Sequence, residues 1–280
     1  MLKPLVLCAL LATAALATAQ SVPVAYGPPS HSAILNSTIV DWDSLIAKPS
    51  AVGAARAVFD NPTPTLPKLE VHITTLNPGM ESHPPHHHAW EEMLLIRDGN
   101  VEVQINGQKH PAGPGSLIFF ASNDPHNLKN TGATPATYYV IVFATDRTLT
   151  APDKPAIEQA VPGKLASTVI DCNNLPSTPT PSGSHVSVVN SPTLTFNTLE
   201  SHLTTLSPGQ STAVDMVDSG DELAILKSGQ VEVTVNGVSS RINAGSMLYW
   251  APNDKRTLRN LGTTPATYQV IKVISDKSPK

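Results

Sequence analysis

The stretch His83-Pro84-Pro85-His86-His87-His88-Ala89-Trp90-Glu91-Glu92 puts four of the chain's ten histidines within six residues and follows them with two carboxylates. Imidazoles and carboxylates are donors that divalent transition metals take. On a strand, residues i and i+2 share a side, so the spacing predicts His86 and His88 facing one way and His87 the other. Two imidazoles about 7 Å apart along a strand can close on one ion. Glu92 opens the next predicted strand and can add a carboxylate. His126, two hairpins on, stands where a folded-back strand delivers a third imidazole. Three neutral nitrogens and one carboxylate suit a divalent metal with positions left open for water, substrate or oxygen. Such a centre can polarise a carbonyl, stabilise an enolate, activate water or bind oxygen. Glu92, a ligand able to swing off the ion, is the candidate catalytic base. Blander readings fall to the neighbours. His87 is a surface or supporting group, His83 loop, Glu91 solvated, and His72 and His110 structural. Trp90, Phe119, Phe120 and Tyr139 read as aromatic core.

Short strands and tight turns must hold these groups. Met93-Leu94-Leu95-Ile96 runs into the turn Asp98-Gly99-Asn100. Val101, Val103 and Ile105 then alternate with Glu102 and Gln104, the period of a half-buried strand. Asn106-Gly107 is a two-residue hairpin signal, since both positions of a type I′ turn need φ > 0. Gly113-Pro114-Gly115 and Asn123-Asp124-Pro125 mark further turns, and Tyr138 to Phe143 closes the unit. Many short strands at regular spacing mean an all-β sandwich or barrel. The segments 42–57 and 172–185 fit either a short helix or irregular arms.

The unit occurs twice. Residues 74–79 read TTLNPG and 204–209 read TTLSPG; 134–141 read TPATYYVI and 264–271 read TPATYQVI. At a constant offset of 130, residues 70–143 share 29 identities in 74 positions with 200–273. A fainter match upstream sets Ile39-Val40-Asp41 against Val169-Ile170-Asp171. This is a duplicated domain, not a solenoid, which needs several short repeats. The Pro-rich stretch within 151–166 reads as the linker between units 20–150 and 167–280. The second copy keeps the turns and loses the donors: His86, His88 and His126 become Met216, Asp218 and Arg256, and only Glu92 persists, as Glu222. Asp218, Glu222 and Arg256 should converge, either as a salt-bridged plug in place of the ion or as an anion site built on Arg256.

Composition agrees with a turn-dense β protein. Charged residues are 14% of the chain against about 25% in an average domain, and 26 prolines are nearly twice the usual share. That excludes a coiled coil, and 40% apolar residues argue against a disordered chain. A net charge of −4 leaves no basic excess for a nucleic-acid backbone. Lys3, the apolar run Pro4 to Leu16 and Ala17-Thr18-Ala19 read as an export signal over 1–19, with Gln20 as the mature N-terminus. The run falls short of the roughly 20 residues of a transmembrane helix, so no membrane association is expected after cleavage and the protein is secreted or periplasmic. Cys172 is then the one mature cysteine, without a partner for a disulfide, and reads as a buried apolar filler.

The order Gly79…His86-x-His88-x-x-x-Glu92-x-x-x-x-x-x-Gly99, with Gly115 then His126-x-x-x-Asn130, resembles the two motifs of the cupin family. Gly79 stands one residue further from His86 than in the common form. Both repeats are covered, so the chain resembles a bicupin. The resemblance implies two tandem jelly-roll barrels and a metal inside one barrel mouth on His86, His88, Glu92 and His126. Manganese comes first among the metals, with iron, nickel, copper and zinc as alternatives. It implies a metalloenzyme acting on a small polar substrate such as a carboxylate or ureide. The family spans oxalate-degrading enzymes, ureidoglycine aminohydrolases, sugar-processing enzymes and flavonol or aromatic dioxygenases, and also non-catalytic binding and storage modules. In the ureidoglycine aminohydrolase type the metal sits in the second half, unlike here. A homo-oligomer is compatible with the resemblance.

Overall fold

Two apolar patterns build two kinds of sheet. Continuous apolar runs, Met93–Ile96 in strand Glu91–Asp98, Leu117–Phe120 in Ser116–Phe120 and Tyr138–Ala144 in Ala136–Ala144, are buried on both faces. Val101–Ile105, which alternates, buries one face only. The computed structural model describes residues 33–149, 151 and 161–280. The export signal read at 1–19 and most of the linker read at 151–166 lie outside them. Among the described residues no helix is long and apolar enough to cross a membrane.

In the first half, a seven-stranded antiparallel sheet runs in the order Thr168–Asp171, Ser116–Phe120, Glu91–Asp98, Ala136–Ala144, Lys68–Leu76, Gly53–Asn61 and Lys48–Ser50. A three-stranded sheet of Gln108–Ala112, Val101–Ile105 and His126–Asn130 folds over it. The second half repeats this plan. Asn106 and Gly107 have φ of 49° and 79°, as do their counterparts Asn236 and Gly237 at 48° and 83°, so both hairpins turn as the sequence predicts. The undecided segments 42–57 and 172–185 each hold a one-turn 3₁₀ helix, Trp42–Ser44 and Cys172–Asn174, and a short hairpin of strands.

One feature of the pairing crosses the repeat. Thr38–Val40, from the first half, pairs with Met247–Trp250 of the second. Thr168–Asp171, from the second, pairs with Ser116–Phe120 of the first. Each barrel's outermost strand thus comes from the other copy, and each arm continues into a 3₁₀ turn. Trp42 packs so closely on Gly245 that a Cβ there would lie 2.8 Å from its ring.

Period two then sorts the side chains. Odd-numbered residues of the large first sheet (Leu69, Ile73, Met93, Leu95, Phe119, Tyr139, Ile141) join Leu199, Ile225, Tyr249 and Ile271 in one core between the barrels, and Cys172 fills part of it. Even-numbered ones (Leu94, Ile118, Phe120, Val140) turn into the first barrel. The same alternation sends Glu92 into the barrel and Glu91 to the interface. Glu91 is therefore not solvated: it is 1% exposed and accepts a 2.7 Å hydrogen bond from Thr193 Oγ1 of the other half. Asp221, its counterpart, reciprocally accepts from Thr65 Oγ1.

Burial pushes the Glu91 carboxyl up to about 7, against the pull of hydrogen bonds from Thr193 and Thr195. A carboxyl raised on folding stabilises the fold fully below its unfolded pKa, and that contribution is lost as pH rises towards and through the folded value. Glu91→Gln mimics the protonated form. We expect wild type and variant to be level near pH 4 and the variant to gain steadily between about pH 4.5 and 7. The advantage should then level off at about 3 kcal/mol. Urea unfolding of both proteins across that range measures it; a pH-independent difference would mean that Glu91 is ionised throughout.

Candidate metal centre

The sequence predicts a strand over the histidine run; the structure shows a loop. Residues 82–90 belong to no strand, and His86 touches the sheet through one isolated bridge to His126. The bridge is made by two backbone bonds, His86 N to His126 O at 3.1 Å and His126 N to His86 O at 2.9 Å. Two prolines before His86 cannot donate to a ladder, and the second barrel forms the same loop over 212–220 without them. Convergence survives the correction. Ring centroids of His86, His88 and His126 stand 4.8–5.3 Å apart, and one ligand nitrogen from each lies within 4.8 Å of the others.

Glu92 joins them from strand Glu91–Asp98. Its Oε2 is 3.2 Å from His88 Nε2 and 3.9 Å from His126 Nε2. All three of these side chains are at most 6% exposed. The ring orientations are set by backbone carbonyls. His88 Nδ1 faces Trp90 O at 3.0 Å and His126 Nδ1 faces Asp124 O at 2.8 Å. A carbonyl only accepts, so each Nδ1 carries the proton, and in the neutral rings each Nε2 offers its lone pair inward. His86 Nδ1 meets His83 Nδ1 at 2.8 Å. His83, read as loop, therefore stands over the cluster and lines the cavity mouth. Two core-type aromatics serve as plates: Phe120 stacks on His126 at 4.1 Å and Trp90 on His88 at 4.9 Å. Phe119 and Tyr139 belong to the core between the barrels.

The electrostatics match the donor set. Burial lowers His86 to about 3 and His126 to about 4, helped by the neighbouring imidazoles. Burial alone would raise Glu92, but the hydrogen bond with His88 and the fields of His126 and His88 win and bring it to about 2. Neutral His86 and His126 beside an ionised carboxylate are what a divalent cation needs. An ion bonded at about 2.1 Å holds its ligand atoms at most about 4.2 Å apart. Both His–Glu92 separations fall within that span, and the three-imidazole set stands just outside it. The residues fit a metal.

Above the cluster lies a cavity of about 400 Å³ walled by Leu94, Phe120, Val140 and Tyr138, with Thr74 and His72 on one side. His72, read as structural, is buried there with Nδ1 3.3 Å from Glu70, and Glu70 in turn holds Lys68, which is fully buried. In the second barrel the backbone is kept and the chemistry exchanged. Met216 and Arg256 make the same bridge, with both bonds at 2.9 Å. Arg256 binds Glu222 directly. Asp218 goes not to Arg256 but to Lys272 at 3.0 Å, and Glu200 takes the same Lys272 at 2.7 Å. Neither Lys272 nor Glu200 was foreseen; their first-barrel counterparts are Val142 and Glu70, so the Lys272 charge in place of an apolar residue was the available signal.

The family described as "Cupin domain" matches twice, over residues 72–142 and 202–272. No curated protein matches the sequence. Many solved structures share the fold. The formate complex of Lactobacillus farciminis oxalate decarboxylase superposes with a TM-score of 0.64 at 14% identity, covering 89% of each chain. A Bacillus subtilis oxalate decarboxylase structure concerned with its Mn(II) centres gives a TM-score of 0.61 at 16% identity over 89% of this chain and 80% of that one. The protein Ylba from E. coli gives 0.64 at 12% identity over 87% and 94%.

Proposed function

This chain belongs to the cupin family as a bicupin, and on that premise we propose that it is a metalloenzyme with one divalent ion in its first barrel, acting on a small polar substrate of the carboxylate or ureide class. The observation that carries this reading is the convergence of three imidazoles and the Glu92 carboxylate beneath a cavity of about 400 Å³. Manganese is the first choice of metal, in line with the Mn(II) centres named for the Bacillus subtilis relative. A bound divalent ion supplies Lewis acidity towards a carbonyl or carboxylate oxygen. The chain's own residues supply the rest. His86, His88 and His126 hold the ion with rings fixed by Trp90 O, Asp124 O and His83. Glu92 completes the set and is the group placed to take a proton from substrate. Leu94, Phe120 and Val140 keep water from the reacting end, and His83 stands at the mouth.

The test is protein purified without a histidine tag. We expect about one equivalent of divalent metal per chain and turnover of one member of a panel of oxalate, other small carboxylates and ureides, abolished by chelation and restored by the metal. A bound metal that exchanges no water, binds no nitric oxide and supports no turnover would favour a non-catalytic binding module instead.

Export is part of the same reading. The mature protein recovered from the medium or periplasm should begin at Gln20 by intact mass; retention of residues 1–19 on membranes would make the segment an anchor.

A further inference from the structure

The second barrel retains a cavity of about 350 Å³ in the place where the first holds its histidines. That is within the range of small-molecule sites, about 300–1,000 Å³. Its lining holds two charged groupings. In one, Arg256 is 5% exposed and gives Nη2 to Glu222, an internally neutral pair. The other side-chain N–H groups of Arg256 donate to no described residue. The guanidinium lies 5.1 Å from the centroid of Trp250, a cavity-lining ring. The remaining Arg256 donors are not spent on the protein. In the other, on the strand beside Glu222, one ammonium serves two carboxylates: Lys272 is shared by Glu200 and Asp218, and His202 Nδ1 lies 3.3 Å from Glu200. That grouping carries an excess negative charge.

We propose that the second barrel binds a small zwitterion of the amino-acid class, its carboxylate on the spare Arg256 donors and its ammonium group on Asp218 and Glu200. An anion alone would add to a cavity already short of positive charge. A cation alone would leave the buried donors unpaired, which is costly. A molecule bearing both charges satisfies both groupings.

Isothermal titration of the full chain tests this in a His86→Ala/His88→Ala background, which disables the first site and keeps the two barrels' ligands apart. Glycine and L-serine are the probes, with acetate and ethylammonium as single-charge controls. We expect one equivalent of glycine or L-serine to bind at least about tenfold more tightly than either control. Arg256→Lys, which keeps a cation beside Glu222 but removes the spare guanidinium N–H groups, weakens the zwitterions and acetate together. Asp218→Asn weakens the zwitterions and spares acetate. Thermal melts confirm that both variants are folded. Acetate binding as well as glycine, no probe binding at about 10 mM, or indifference to both substitutions would each overturn the proposal, the second leaving the cavity a salt-bridged plug only.

Discussion

Replacing His86 and His88 together by Ala should reduce metal content from about one equivalent per chain to less than about a tenth, and abolish any turnover, while both barrels stay folded. The loss is large because two of four donors vanish at once, and His126 with Glu92 cannot encircle an ion. The fold should survive because the loop is held by backbone, not imidazole. The bridge between His86 and His126 consists of N–H to C=O bonds, and the second barrel makes the same bridge with Met216, which has no imidazole. Ala at 86 also removes the ring packed at 4.0 Å from His83, a contact at the exposed mouth. Metal analysis after exhaustive dialysis, with far-UV circular dichroism on the same samples, gives the answer. Stoichiometric metal retained by a folded double variant would overturn the ligand assignment and with it the proposed enzyme.

The parts legible in the sequence are those fixed by local chemistry. Asn106-Gly107 needs positive φ whatever surrounds it, and the structure has it. Val101–Ile105 alternates because one face meets water. His86, His88, Glu92 and His126 stood out because metal donors are rare and their spacing is narrow. What escaped was set by partners far along the chain. The histidines share a direction through a loop pinned to His126, forty residues on, and not through strand period. Glu91 looked solvated because its partner, Thr193, lies 102 residues away. The fainter match of Ile39-Val40-Asp41 with Val169-Ile170-Asp171 showed that the arms are copies. It could not show that each arm crosses to the other barrel, since two equivalent acceptor strands of the same apolar pattern compete for each. Lys272 escaped because it sits among the apolar residues of a core strand, where a lone lysine reads as a surface position.

Arg256→Met should destabilise the chain by about 3–5 kcal/mol, the usual cost of removing one partner of a buried ion pair. Arg256 and Glu222 side chains are 5% and 6% exposed, so little water reaches the carboxylate left behind, and Asp218 repels it further. Burial holds Glu222 up at about 7 even with Arg256 and Lys272 pulling it back. Without Arg256 the carboxyl escapes the penalty mainly by taking a proton, so the loss should shrink as pH falls from 8 towards about 7. Adding Glu222→Leu to Arg256→Met should recover most of the stability, because an apolar pair in a buried site is often as good as an ionic one. The double-mutant cycle, by urea unfolding at pH 8, should therefore give a coupling of about 3 kcal/mol. Metal content of the single variant should not change, since none of the four first-barrel donors touches Arg256. A cost below about 1 kcal/mol would mean that the pair is solvated. The second barrel would then be filled by water, and the ion pair would not be what took over from the metal.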